Sequence, residues 1–305
     1  MKNDIYWYAG LSFVMIVWAT VYPVTKVVVR SVDPLTISFL RYFIGIIPLL
    51  PFFIVEVRRR ETSLSFKDIL SMSVLGFVGV TLFALFLFYG IRFSTASNGS
   101  LLANTQPIFT TLLAPLIIRE QFSISRILGA SIGVIGIALV VTGGNFRDIF
   151  VLSSSRIVGN ILLVLSSVSM SLFSILLKRY IKKYGGIIPT LITMFSGSVF
   201  LAFVVVGYSG GFEALAGISL IDWGALLYIG VIGTALVYLI FNKALQAIGV
   251  VRAVGFKLMI PVLGALFSVI LLGERPGVAY IVGTLLVLGA IYFIQKPVIG
   301  DELLE

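Results

Sequence analysis

The sequence predicts an all-α integral membrane protein with ten transmembrane helices, arranged as two inverted five-helix repeats with both termini inside. Three observations predict this fold class: an extreme apolar composition, a series of long apolar runs and an internal repeat. Of the 305 residues, 59% are hydrophobic and 11% are charged, and the mean hydropathy is +1.12. Soluble domains are roughly 45–50% apolar and about 25% charged. This chain therefore cannot cover itself with polar surface, and it belongs in a bilayer.

The individual helices are predicted from the apolar runs, since a spanning helix needs about 20 mostly apolar residues. These runs are continuously apolar, as in "GASIGVIGIALVVTG", whereas strands of a membrane barrel alternate polar and apolar residues. The first run lacks an A-x-A cleavage site and precedes nine others, so we expect a retained helix and not a signal peptide. The expected bounds are 5–29, 34–55, 69–90, 95–118, 124–142, 157–178, 186–207, 221–245, 250–272 and 277–295.

The internal repeat has an offset of 154 residues, the separation of Glu120 from Glu274. The glycine pair Gly76 and Gly79, with Pro107 and Glu120, aligns without a gap with Gly230, Gly233, Pro261 and Glu274. Two copies with an odd number of helices enter the membrane from opposite sides, which predicts inverted repeats over 5–142 and 157–295. Proteins with this architecture bind substrates near the middle of the membrane, where the repeats meet.

The positive charges indicate the orientation. With the N-terminus inside, the inner segments carry thirteen Lys and Arg residues and the outer connections carry five. This bias predicts a multi-pass protein with both termini in the cytoplasm. The absence of eukaryotic targeting features makes a prokaryotic plasma membrane the simplest expected location. The net charge of +9 is then explained by inner loops that face anionic lipid, and we expect no nucleic-acid partner.

Several segments resemble a known family. They are "WATVYPVTK", "PLTISFLRY", "ASNGSLLANTQPIFTTLLAPLIIREQF" and "AVGFKLMIPVLGALFSVILLGERP". Their order and the doubled spacing from proline to glutamate resemble the EamA repeats of the drug/metabolite transporter superfamily, from about residue 8 to residue 295. The resemblance implies a ten-helix secondary transporter, often an exporter of amino acids or other small metabolites. One departure is Ser169-Met170, where the repeat often has a tryptophan.

The residues that are absent argue against enzymatic chemistry. The chain contains no cysteine and no histidine, which excludes disulfides, thiolate metal sites and a histidine proton relay. It also lacks a nucleotide-binding G-x-x-x-x-G-K-[ST] motif, and no acidic residue lies deep in a predicted helix. We therefore expect no cofactor, no metal and no enzyme. The alternative to a transporter is a non-transporting receptor or scaffold, and a membrane-embedded enzyme is the less favoured one.

Polar residues inside the bilayer are costly, so they indicate the functional site. Helix four carries Asn98, Asn104 and Gln106, of which the last two are bulky and deep enough to line a cavity. For the serines of the same helix, close helix packing is favoured over cavity lining. Pro107 and Pro261 are expected to bend the two equivalent helices, either as a structural kink or as a gate.

Cations without acidic partners indicate the chemistry of the substrate. Arg41 and Lys257 lie within predicted helices, where they would favour a carboxylate or another anionic group. For Lys26, extension of the side chain to the lipid headgroups is an equal alternative. Aromatic side chains would provide walls for an apolar group. The substrate-binding candidates are Trp18, Lys26, Arg41, Tyr42, Asn98, Asn104, Gln106, Tyr238, Phe256 and Lys257.

Two further features have alternative interpretations. Glu120 and Glu274 lie at helix ends, where a boundary or loop-anchoring role competes with a role in ion coupling. The glycines of the fifth helix, Gly129, Gly133 and Gly136, form a small-residue face. This face can pack within the chain, or it can form a homodimer contact.

Overall fold

All the regular structure that the computed structural model describes is helical, over residues 2–60, 64–118, 124–146, 154–208, 213–248, 253 and 255–295. Within these ranges, seven helical segments are long and apolar enough to cross a membrane, and one of them, Ala96–Ile118, is interrupted. Three further apolar helices are shorter, at Arg126–Thr142, Phe256–Leu272 and Val278–Ile294. The predicted all-α class is confirmed, whereas the ten-helix inverted topology and the position of the termini stay predictions. Glu120 lies outside the described residues.

The helices of the first half begin with a long N-terminal segment and end with a glycine-rich one. They are α1 (Lys2–Val28), α2 (Pro34–Ile46, a 3₁₀ turn at Ile47–Leu49 and Leu50–Arg60), α3 (Phe66–Gly76, a π-helical turn at Phe77–Leu82 and Phe83–Phe93), α4 (Ala96–Leu102), α5 (Gln106–Ile118) and α6 (Ile124–Thr142).

The helices of the second half follow a similar order. They are α7 (Ser155–Tyr184), α8 (Ile187–Tyr208), the short α9 (Glu213–Ala216), α10 (Leu220–Leu227, a π-helical turn at Tyr228–Leu236 and Val237–Ile248), α11 (a 3₁₀ turn at Phe256–Leu258 and Met259–Leu272) and α12 (Val278–Gln295).

The repeated glycines lie at the π-helical turns of α3 and α10 and bring these helices close to their neighbours. A Cβ atom at Gly79 would lie 2.1 Å from the ring of Phe173 on α7. A Cβ atom at Gly230 would lie 2.8 Å from the side chain of Ile44 on α2. Glycine at these positions therefore allows each π-helical segment to pack against a helix of the other half.

The glycine-rich face of α6 packs against α12 in the same chain. A Cβ atom at Gly136 would lie 2.8 Å from the carbonyl oxygen of Gly283, and a Cβ atom at Gly283 would lie 2.7 Å from that of Gly136. Gly133 faces Ile108 and Ala290 in the same way. This face is thus occupied within the monomer, which is one of its two predicted uses.

The predicted fourth helix, 95–118, is broken in the middle. Helix α4 ends at Leu102, and α5 begins at Gln106. Pro107 is the second residue of α5, where its missing N–H leaves no helical hydrogen bond unmade. Pro261 likewise lies in the first turn of Met259–Leu272, after a 3₁₀ turn. Pro107 therefore follows an interruption at the start of α5, whereas Pro261 follows a 3₁₀ turn within α11. A role of either proline in gating stays a prediction.

Candidate substrate-binding site

The break between α4 and α5 leaves polar groups to be satisfied by side chains. The backbone N–H of Asn104 donates to the carbonyl oxygen of Leu101 at 3.1 Å, so it does not continue the α-helical pattern to Ser100. The Asn104 side-chain amide donates instead to the Ser100 carbonyl at 2.8 Å, and it also donates to the hydroxyl of Tyr22 on α1 at 2.7 Å. A single side chain thus closes the break and joins it to α1.

Arg41 of α2 is buried, with only 8% of its surface exposed. Its Nε donates to the hydroxyl of Thr234 on α10 at 3.2 Å. Its guanidinium carbon lies 5.6 Å from the ring centre of Tyr42 and 5.7 Å from that of Phe88. The structure gives Arg41 no ion pair with any residue that it describes. A buried cation in this state can bind an added anion at little further cost of desolvation.

The second cation of the site is Lys257, which lies in the 3₁₀ turn before the main part of α11. Its ammonium nitrogen is 5.4 Å from the ring centre of Trp18 and 4.9 Å from that of Phe241. These are cation–π distances, and a Lys ammonium over an aromatic face is stabilised by the quadrupole of the ring. Among the described residues, no carboxylate forms an ion pair with this ammonium.

Aromatic rings connect the two cations. Trp18 packs edge-on against Tyr238 with ring centres 6.3 Å apart, and it contacts Phe241 at 5.2 Å. The side chains of Tyr22, Tyr42 and Tyr238 lie within electrostatic range of the Arg41 guanidinium. We call this assembly the central cluster, and its members are Trp18, Tyr22, Arg41, Tyr42, Asn104, Tyr238, Phe241 and Lys257. The cluster offers two cations, an amide and several aromatic faces, which suits a small molecule with one anionic end and one apolar end.

Six of these eight residues were substrate-binding candidates from the sequence. Tyr22 and Phe241 were not among the candidates, although the spacing of Phe241 on α10 provides a signal. Thr234, Tyr238 and Phe241 follow one another at intervals of four and three, which places them on one helical face. The interaction of Thr234 with Arg41 has no comparable signal, because it depends on how α2 packs against α10.

Two polar candidates from the sequence lie in a separate seam along α7. The amide of Asn98 donates to Asn160 Oδ1 at 2.8 Å, and Asn160 in turn donates to the carbonyl of Val141 at 3.0 Å. The amide of Gln106 donates to the hydroxyl of Ser174 at 2.8 Å. These contacts fix the broken helix against α7, so Asn98 and Gln106 do not join the central cluster.

Lys26 and Phe256 each have a structural partner outside the central cluster. The Lys26 ammonium donates to the carbonyls of Ile91 at 2.7 Å and Arg92 at 3.1 Å, and it makes a third, short contact with the carbonyl of Ser94. A lysine in this position satisfies the free carbonyls at the end of α3. Phe256 stacks on Tyr8 of α1 with ring centres 5.9 Å apart. Both side chains thus have structural partners, and their role in substrate binding stays a prediction. Phe256 also packs against the apolar cluster that contains Phe241.

An apolar groove of about 560 Å³ lies elsewhere, between α2, α3 and α8. Its polar lining consists of Ser73 and Ser196, and its other side chains are apolar, among them Leu50 and Phe195. Such a lining suits lipid hydrocarbon better than a polar substrate.

A helical membrane protein with polar and charged side chains gathered between its helices has the features of a small-molecule transporter. The model of the EamA-like transporter family matches residues 5–142 and 157–295, and the chain belongs to this family.

Relatives of known sequence agree with this assignment. The chain is 26% identical to the uncharacterized transporter YdfC of Bacillus subtilis over 282 residues, which cover 92% of this chain and 88% of the relative. It is 24% identical to an uncharacterized transporter of Archaeoglobus fulgidus, with 92% and 94% covered. It is 22% identical to a probable terminal-alkyne amino-acid exporter of Streptantibioticus cattleyicolor, with 95% and 94% covered.

A solved crystal structure has the same fold. It matches with a TM-score of 0.60 at 16% identity and covers 93% of this chain and 94% of the solved one. The match to the family model confirms the predicted family, and the protein is a membrane transporter of the EamA type. Its relatives are named as transporters and not as enzymes.

Proposed function

We propose that this protein is a secondary transporter that moves a small amphipathic metabolite with a carboxylate, such as an amino acid, out of the cell by alternating access. The observation that carries this proposal is the pair of cations in the central cluster, Arg41 and Lys257. Neither forms an ion pair with a described residue, and both lie against aromatic rings. The carboxylate of the substrate would supply the missing negative charge, and the apolar side chain of the substrate would contact Trp18 and Tyr238.

The proposed topology has ten spanning helices in two inverted repeats, with both termini in the cytoplasm. Two observations support it. The family model matches two segments of similar length, and the two glycine pairs lie at π-helical turns of α3 and α10. In this topology the central cluster lies between the halves, since it takes Trp18, Arg41 and Asn104 from the first half and Tyr238 and Lys257 from the second. Such a position allows access to alternate between the two sides of the membrane.

Export of an amino acid is supported by the name of the relative from Streptantibioticus cattleyicolor. That relative covers nearly the whole chain, but at 22% identity its substrate is only a guide to the chemical class.

A counterflow experiment in liposomes tests the carboxylate. The probes are L-phenylalanine, N-acetyl-L-phenylalanine, which keeps the carboxylate and loses the cationic amine, and L-phenylalaninamide, which keeps the amine and loses the carboxylate. We expect uptake of the first two above that in protein-free liposomes and no uptake of the third. The variants Arg41→Gln and Lys257→Gln should each reduce phenylalanine counterflow at least tenfold.

Lys243→Gln is the matched control, because Lys243 is an exposed lysine on α10, close in sequence to Phe241. It should transport like the unchanged protein. Transport of phenylalaninamide alone, or full activity of both cluster variants, would show that the two cations do not bind the substrate. Saturable binding of phenylalanine without counterflow would favour a receptor over a transporter.

A further inference from the structure

Helix α4 is a short, completely buried segment between the central cluster and one end of the protein. All seven of its residues are buried, and at 1.5 Å per residue it spans about 10 Å. One end is the break at Asn104, which bonds Tyr22 of the central cluster. A movement of α4 would therefore move Asn104. The contacts that hold the other end of α4 thus also affect the candidate substrate-binding site.

The other end of α4 is held by a carboxylate from the second half of the chain. Glu274 lies between α11 and α12, and its Oε1 accepts the backbone N–H of Ala96 at 2.7 Å. Its Oε2 accepts the backbone N–H of Ser97 at 3.0 Å and the Ser97 hydroxyl at 2.6 Å. A carboxylate that accepts free N–H groups at the start of a helix forms charge-assisted hydrogen bonds, which are about twice as strong as neutral ones. We call this set of contacts the Glu274 cap.

The neighbouring end of α3 is held in a different way. Lys26, from the first half, donates to the last carbonyls of α3, while the Glu274 cap reaches α4 from the second half. The two side chains also attract each other electrostatically. The Tyr280 hydroxyl, also from the second half, donates to the Ser97 carbonyl at 3.2 Å. Relative motion of the halves would thus leave α3 capped and strain the contacts of α4.

We propose that Glu274 is a positioning residue that holds α4 in place when this end of the transporter is closed, and that opening of this end breaks the Glu274 cap and shifts Asn104. This inference rests on the alternating-access function proposed above. In the proposed topology, the capped end faces the outside of the cell.

The natural absence of cysteine allows a direct test with a single reporter thiol. Ser100→Cys is suitable because Ser100 lies on α4 and is 0% exposed. The measured quantity is the rate at which a small membrane-impermeant thiol reagent labels this cysteine in intact cells. Adding Glu274→Gln should raise the labelling rate at least tenfold, because an amide loses the negative charge that binds the α4 N–H groups. Ser97→Ala, which removes one of the three contacts, should raise it by a smaller factor.

Two controls separate the Glu274 cap from a general loss of structure. Arg92→Gln removes a charge at the same end, from an exposed ion pair with Asp33 at 3.3 Å, and should leave labelling unchanged. Gly283→Ala disturbs packing between α6 and α12 without touching the cap, and it should also leave labelling slow. Gel filtration in detergent establishes that each variant is folded.

The proposal is overturned if Ser100→Cys is labelled at the same rate with and without Glu274→Gln. It is also overturned if Arg92→Gln or Gly283→Ala raises the labelling rate as much as Glu274→Gln does. The counterflow of phenylalanine by the unchanged protein is measured separately. Normal counterflow with unchanged labelling would refute the Glu274 cap alone, whereas absence of probe transport would refute the proposed function.

Discussion

The side-chain amide of Asn104 donates to the hydroxyl of Tyr22 at 2.7 Å, and this bond joins the break between α4 and α5 to α1. The same amide satisfies the Ser100 carbonyl that the break leaves without a helical partner. An irregular segment inside a membrane protein is stable only where its backbone groups find partners. Asn104 therefore makes the break possible and places a polar group in the central cluster.

Removal of the Tyr22 hydroxyl tests this bond. Tyr22→Phe deletes the acceptor of Asn104 while keeping the ring, and a hydrogen bond of this kind contributes about 0.5–1.5 kcal/mol. We expect phenylalanine counterflow to fall about fivefold. Tyr89→Phe is the control, since Tyr89 lies outside the central cluster and its ring stacks on Phe93 at 6.2 Å. Equal rates of phenylalanine counterflow by the two variants would show that the bond between Asn104 and Tyr22 does not contribute to transport.

The aromatic wall should select for substrates with a large apolar side chain. Trp18→Leu removes the ring that lies under Lys257 and beside Tyr238, and aromatic contacts contribute about 0.5–1.5 kcal/mol beyond buried area. The KM for phenylalanine should rise about tenfold, while that for alanine should change less than twofold. Trp7→Leu, on the same helix and outside the central cluster, should alter neither. An equal rise for both amino acids would show that Trp18 supports the site without contacting the substrate side chain.

The contact between α6 and α12 should be sensitive to a single methyl group. In Gly283→Ala the added carbon would lie 2.7 Å from the Gly136 carbonyl oxygen and 2.4 Å from a methyl carbon of Val140. Overpacking of this kind costs about 1–3 kcal/mol, so the temperature of thermal unfolding in detergent should fall by several degrees. Gly289→Ala is a matched control on the same helix, because nothing lies within 4 Å of its added carbon. Similar unfolding temperatures for both variants would disprove close packing at Gly283.

The polar seam along α7 should contribute to stability and not to substrate choice. Asn160 is 1% exposed, and Asn160→Leu would leave the Asn98 amide and the Val141 carbonyl without this partner. A buried polar group without its partner costs about 1–3 kcal/mol. We expect a lower unfolding temperature and an unchanged order of preference among the three probes. Asn145→Leu, at an exposed position after α6, should have no effect. A changed order of preference would place Asn160 in the substrate pathway.

Much of the fold could be predicted because apolar runs of spanning length leave few alternatives in a bilayer. The predicted runs 34–55 and 186–207 correspond closely to the spans Pro34–Arg59 and Ile187–Gly207. The break in the run 95–118 was not predicted, although Pro107 marks its position to within a few residues. A proline is compatible with both a kink and a new helix start, and neighbouring side chains decide between them.

The candidate site also contains residues that could be predicted from the sequence and contacts that could not. Arg41, Lys257, Trp18 and Asn104 could be selected from the sequence, because a charged, amide or aromatic side chain deep in an apolar run is unusual enough to be noticed. Lys26 was selected by the same rule, yet its ammonium donates hydrogen bonds to the carbonyls at the end of α3. The sequence carries no information on which of these cations contacts a backbone carbonyl and which contacts an aromatic ring.

The sequence by itself determined that the chain is helical and membrane-embedded, because hydrophobicity and spanning length are local properties that each segment carries alone. The internal repeat and the family resemblance were also readable without coordinates. Only the tertiary structure decided that Glu274 caps α4 and that Arg41 and Lys257 share one aromatic cluster. These contacts join residues far apart in the chain, and their distances depend on how close the glycines allow the helices to approach.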